Sequence, residues 1–324
     1  MKRFKKILYV NESNADQASA ISRAVSLAEN NQADLTVADV IPPPVAGARV
    51  ELPPDVPAYT ELQAAIVDDH WKALEFIVES YKQRLTIRLD LMVGKRFLEV
   101  IRAVLRNDYD LVIKPAENPT WARRLFGSDD MHLLRKCPCP VWLVKTSGES
   151  NYNAILAAVD FDPLNPVGSM RELNREILEL ASSQALSDFA SLHLVHAWEP
   201  LLETTMLSRG CSSSECMADY VEKELALHRN GLYMLSEELR QWIGDDAYNY
   251  LSPSLHLPKG LAEMVIPPFA VELRASLVVM GTIARTGISG LIIGNTAEAI
   301  LDQLSCSVLA IKPPGFKTPV KLEA

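Results

Sequence analysis

What this 324-residue chain lacks already narrows its function. No apolar run approaches the about 18 residues that a membrane-spanning helix requires, so no membrane span is expected. The basic start MKRFKKILYV is interrupted by Asn11, Glu12, Asn14 and Asp16, too early for the apolar region of a secretory signal, and the cytoplasm is the expected location. Lys and Arg number 32 against 41 Asp and Glu. The resulting net charge of −9 leaves no basic footprint, which excludes direct nucleic-acid binding from the leading readings. Cysteine is sparse and odd in number, five in all, which opposes a disulfide framework and fits a reducing compartment. Cys137 and Cys139 lack the two-residue spacing of zinc knuckles and thioredoxin-like sites, and Cys139, at the entry to an apolar strand, reads as a buried structural thiol. There is no GxxxxGK[ST] phosphate loop, and no Ser-His-Asp arrangement has support from a motif.

What is present is a repeat. The length suits two domains, and 48% hydrophobic residues is a globular content. Apolar runs at Ile7–Val10, Ala33–Ile41, Leu85–Met92, Leu111–Ile113 and Val141–Val144 predict strands, with helical apolar spacing between them. The order recurs at Ala154–Val159, Ala190–Trp198, Leu255–Leu257, Leu277–Met280 and Val308–Lys312, with a long helix over Cys216–Trp242. It places Asp160 where Glu12 stands and His196 opposite Asp39. Domains are expected at 1–146 and 153–314, joined by a polar linker near Thr146–Tyr152 and followed by a C-terminal tail, 315–324. Each half alternates strand and helix, which predicts an α/β, Rossmann-like fold: a five-stranded parallel sheet with helices on both faces and a ligand crevice at the carboxyl ends of the strands.

Val278–Leu301 carries the chemistry. An apolar strand leads into Gly281, Gly287, Gly290 and Gly294, and a helix begins at Asn295-Thr296. Glycines let backbone approach a ligand, and the free N–H groups of a first helical turn favour an anion. This stretch resembles the nucleotide-binding segment of the universal stress protein family: glycine, two residues, glycine, nine residues, then glycine followed by Ser or Thr. Gly281, Ala284 and Gly294-Asn295 hold those places, with Ala284 and Asn295 departing from the pattern. Asn295 is expected to cap the helix through its side-chain oxygen, and Thr296 offers a hydroxyl one residue later. Because the two halves match throughout, the resemblance extends over nearly the whole chain as a tandem of such domains, with the fold of the adenine-nucleotide alpha-hydrolase-like proteins.

The resemblance implies a cytoplasmic stress-response protein that binds ATP or a related adenine nucleotide in its second half, with Mg as the ion accompanying the nucleotide. Asp160 then stands at the nucleotide edge, the backbone of Val195 lies against adenine with His196 beside it, and Arg285 meets phosphate oxygens. Read without the resemblance, Asp160 is a turn or capping residue, His196 a structural histidine at a strand end and Arg285 a solvated loop cation. In the first half the glycines are replaced by Lys114-Pro115-Ala116-Glu117-Asn118-Pro119, only Gly127-Ser128 survives of the motif, and Asp129-Asp130 put acid at the next helix start. That half is not expected to hold nucleotide. No catalytic residue is assigned, and any ATPase activity is expected to be slow, because turnover also needs a metal-binding carboxylate and a residue that positions water. A zinc site assembled across loops from the scattered histidines stays open as an alternative. Two other readings stand beside the leading one: an interaction or scaffold protein without nucleotide, and a carrier of an apolar, lipid-like ligand lined by Val45, Val50, Leu201, Leu202 and Met206. The expected partners are the two halves themselves, paired through their final strands, or a second copy in a homodimer.

Overall fold

The computed structural model describes residues 4–12, 17–42, 59–116, 129–145, 151–164, 170–200, 214–282 and 293–322. These fall into two compact units, one within 151–316 and the other made of the earlier residues joined by 317–322.

In the first unit, β1 (Lys6–Val10), β2 (Asp34–Ile41), β3 (Ile87–Val93), β4 (Leu111–Pro115) and β5 (Val141–Val144) form parallel pairs in the order β3-β2-β1-β4-β5. Ile7, Leu8, Tyr9 and Val10 have no solvent exposure, as a strand covered on both faces requires. Between the strands run α1 (Ala18–Asn31), α2 (Tyr59–Val78), α3 (Arg96–Asn107) and α4 (Asp129–Lys136). The apolar spacing of α1 buries Ala20, Ile21, Ala24, Val25 and Ala28 on one stripe. Near the start of β5, Cys137 and Cys139 are buried with their sulfurs 3.6 Å apart. That contact, and then burial, push the Cys139 thiol well above its usual value, which fits a structural role.

The second unit repeats this order. β6 (Ala154–Ala158), β7 (Ser191–Val195), β8 (Ser254–His256), β9 (Leu277–Gly281) and β10 (Ser307–Ile311) pair in parallel as β8-β7-β6-β9-β10. Their helices are α5 (Arg171–Asp188), α6 (Ser214–Ile243), α7 (Asp245–Leu251), α8 (Ala262–Glu272) and α9 (Asn295–Leu301). In both units the chain reverses its direction of progress across the sheet after the third strand, so right-handed crossovers put early and late helices on opposite faces. The reversal opens a crevice beyond the carboxyl ends of β1 and β4, and of β6 and β9.

The repeat extends to backbone strain. Gln32 (φ 54°) ends α1 and Phe189 (φ 57°) ends α5, while Asp108 (φ 54°) and Arg274 (φ 50°) follow α3 and α8. A side-chain-bearing residue in the left-handed region costs roughly 1–2 kcal/mol, so its recurrence at matching helix-to-strand junctions reflects a shared geometric demand.

Two features depart from the sequence expectation. Gly244, at φ 88°, ends α6 and lets α7 follow at once, with Asp245 and Asp246 complementing its dipole. This unanticipated helix precedes a β8 of three residues, against seven in β3. Within α8, Pro267 and Pro268 remove two N–H donors, and the side chain of Gln303 donates to the carbonyl of Glu263 at 3.1 Å, satisfying an acceptor that Pro267 cannot reach.

Candidate functional site

At the carboxyl ends of β6, β7 and β9 the second unit has a cleft of about 200 Å³. Asp160, Gly281 and Thr296, three of the residues singled out from the sequence, line it together with His196 and Met280. Asp160 follows β6, and the side chain of Asn174 holds its backbone from both sides. Asn174 Oδ1 accepts from the Asp160 N–H at 3.2 Å, and its Nδ2 donates to the Asp160 carbonyl at 2.7 Å. Asn174 is itself buried on α5, so the Asp160 carboxylate, with its side chain 44% exposed, is left to face the opening. Gly281 ends β9 where Leu173 of α5 comes close: a Cβ there would fall 2.7 Å from Leu173 Cδ2. Thr282 then accepts from the N–H of Gly294 at 2.9 Å, so the described ends of the glycine-bearing loop are tied together.

Not every expected residue joins them. Val195 is fully buried, its carbonyl accepts from the Val159 N–H at 3.0 Å, and it does not line the cleft; Ala197, two residues on, does. Asn295 does not cap α9: Gly294 is the N-cap, with no side-chain cap bond, and Asn295 is the exposed first residue of the helix. Extended backbone at Gly294 (φ −77°, ψ 142°) already turns the chain into the helix, which leaves Asn295 one position too late to cap. Ala284 and Arg285 lie outside the described residues, as do the five residues proposed for an apolar-ligand pocket.

The sequence left His196 as a structural residue, and the structure makes it a wall of the cleft. It is 1% exposed and stacks on Phe161 with ring centroids 3.9 Å apart. Its Nε2 lies 2.9 Å from Nδ1 of His228, a buried residue on α6. Close approach of α6 depends on Gly231, where a Cβ would fall 2.3 Å from Phe161 Cε2. A second space of about 540 Å³ continues past this pair, and His196, Ala197, Ala262 and Thr296 belong to both. Another histidine pair, His193 and His256, bonds at 3.0 Å across β7 and β8 away from the cleft, and burial holds both below the ordinary histidine value. Among the described residues no group of three or more His, Cys, Asp or Glu side chains is placed to hold a metal ion. The described residues therefore do not supply the zinc cluster.

The first unit shows what the same positions do without the glycines. Strand register equates Glu12 with Asp160, Asp39 with His196, Lys114 with Met280 and Pro115 with Gly281. Lys114 is fully buried and its Nζ lies 2.9 Å from Glu12 and 2.8 Å from Asp130. Arg96 reaches Glu12 at 3.0 Å, and Asp39 accepts from Asn11 at 2.8 Å and lies 2.7 Å from His70 Nδ1. A buried cation with its own carboxylates thus stands at these positions. Asp130, one of the two acids at the start of α4, is 2% exposed and holds Lys114. Glu117 and Gly127-Ser128 lie outside the described residues.

Duplicated parallel sheets in this strand order, the second with a crevice lined by Asp160, Gly281 and Thr296, define a tandem Rossmann-like α/β protein. The sequence model of the Universal stress protein family matches residues 3–145 and 151–312, and the chain belongs to that family, which sets it in a stress-response context. It is similar to Universal stress protein E of Escherichia coli K12, 34% identical over 234 residues, or 71% of this chain and 69% of that one. The Universal stress protein E homolog of Haemophilus influenzae is 29% identical over 321 residues, covering 96% of this chain and 98% of its own. Among solved structures, a putative universal stress protein from Pseudomonas aeruginosa UCBPP-PA14 superposes with a TM-score of 0.65 at 27% identity, over 96% of this chain and 94% of that one. The runs Leu133–Pro138 and Thr318–Leu322 resemble the same tandem E-type. Among the described residues no helix is long and apolar enough to cross a membrane.

Proposed function

We propose that this is a stress-response protein of the cytoplasm whose second domain binds ATP or a related adenine nucleotide, while the first serves as a structural partner closed by its own ions. One observation carries the reading. Asp160, Gly281 and Thr296, singled out from the sequence, line a single open cleft at the strand-order reversal, whereas among the matching first-domain positions Lys114 is buried and paired with Glu12 and Asp130. Asp160 offers acceptors to an amino group or ribose hydroxyls, and the backbone from Gly294 into α9 offers N–H donors to phosphate. The reading is of a binding signal with at most slow turnover, since phosphoryl transfer needs a metal-binding carboxylate and a residue that positions water. Mg enters this reading only as the nucleotide's companion ion.

Substituting Gly294→Asp tests the site. Aspartate suits a helix N-cap with extended backbone, so folding should be retained or improved, while its charge opposes phosphate at the same place. Equilibrium titration with labelled ATP should show binding at least about tenfold weaker in the variant, a loss of about 1.4 kcal/mol. Equal binding by both proteins would remove this cleft from consideration and leave the scaffold reading.

A further inference from the structure

The two connected spaces of the second domain hold an imbalance of charge. Asp160 and Asp162 after β6, Glu199 after β7, Glu224 on α6 and Glu263 on α8 all line them. Among the described lining residues there is no Lys or Arg. An anionic ligand entering this cleft meets carboxylates that follow β6 and β7 and stand on α6 and α8, and among the described lining side chains only an imidazole can supply positive charge.

The geometry of the histidine pair shows where a proton would go. His196 Nδ1 lies 3.3 Å from the carbonyl of Val159, which can only accept, so this nitrogen carries hydrogen. In the neutral pair His196 Nε2 is then an acceptor and His228 Nδ1 its donor, at 2.9 Å. The remaining nitrogen, His228 Nε2, is 4.0 Å from Glu224 Oε2. A further proton at Nε2 breaks no bond of the pair and places a cation beside a carboxylate. Asp160 Oδ1, 4.0 Å from His196 Nδ1, favours the same charge from the other end. Stacking of Phe161 and His196, with Gly231 admitting Phe161 to α6, holds the two rings in register as one element of the wall.

We propose that the His196–His228 pair is the phosphate-specificity element of the second-domain cleft: it takes up one proton when a phosphorylated adenine ligand binds, and none when the ligand is an uncharged nucleoside. This rests on the nucleotide reading of the cleft and adds how its charge is matched. Protonation favours the anion, so affinity for the phosphorylated ligand rises as pH falls, by at most about tenfold per pH unit for one proton.

Calorimetric titration of the full chain with ATP and with adenosine, from about pH 8 to about pH 6, tests this against His228→Gln. Gln can keep a donor to His196 but cannot take the charge. Comparing the two proteins cancels the titration of ATP itself. The ATP-to-adenosine affinity ratio should rise on acidification by about tenfold more in the wild type than in the variant. Should the variant fold poorly, wild-type heats in buffers of different ionisation enthalpy count protons directly, and ATP should take up about one more than adenosine near neutral pH. Equal slopes in both proteins, or equal proton counts for the two ligands, would overturn the proposal alone. Failure of both ligands to bind at any pH would overturn the nucleotide reading and the proposal with it.

Discussion

Lys114 and Met280 occupy the same register position at the ends of β4 and β9, and their side chains decide what each crevice becomes. Met280 is an uncharged wall, and the space beyond it stays open. Lys114 carries a charge into full burial, where the carboxylates of Glu12 and Asp130 and the carbonyl of Pro115 help make it tolerable. Lys114→Met should therefore leave two buried carboxylates without that cation and lower stability by about 3–5 kcal/mol, read by denaturant unfolding of the full chain. An unchanged midpoint would mean that the cluster does not stabilise the first unit. At this scale the sequence was informative about positions and poor about partners. The correspondences of Glu12 with Asp160 and of Asp39 with His196 follow from strand order alone. The Lys114–Glu12 pair does not, because its members lie on different strands far apart in the chain. Asn174 escaped notice too, although an asparagine within the apolar stripe of α5 (Leu173, Ile177, Leu178, Ala181) is the signal that marks it.

At the scale of elements, long apolar runs identified strands and amphipathic spacing identified helices, since burial on two faces or on one stripe leaves those patterns. β8 was legible at Leu255–Leu257 because the repeat called for a strand there, whereas α7 was not: a seven-residue helix directly after α6 reads as its continuation. The element that shapes the site is α6, brought close at Gly231 and touching His196 through His228. Gly231→Ala puts a methyl where Phe161 now sits, and Phe161 is fixed by its stack on His196. The expected cost is about 1–3 kcal/mol of stability, accompanied by weaker ligand binding because the cleft wall shifts. Chemical denaturation and nucleotide titration of one sample would measure both, and an alanine variant unchanged in the two would show that α6 does not set the wall.

For the whole molecule, duplication followed by divergence accounts for the organisation. Matching strand orders and matching left-handed junctions show that the same framework was used twice. That framework folds with proline and lysine at the end of its fourth strand as readily as with methionine and glycine. Gly281, which stands where the first half has Pro115, is thus not a requirement of the fold, which is why its retention bears on function. The central claim is one nucleotide per chain, held by the second domain. The most direct measurement is the binding stoichiometry of ATP on the full chain, with Gly294→Asp titrated alongside. A stoichiometry of about one in the wild type that is abolished or greatly weakened in the variant is the predicted result. Two sites, or a single site indifferent to Gly294→Asp, would contradict it.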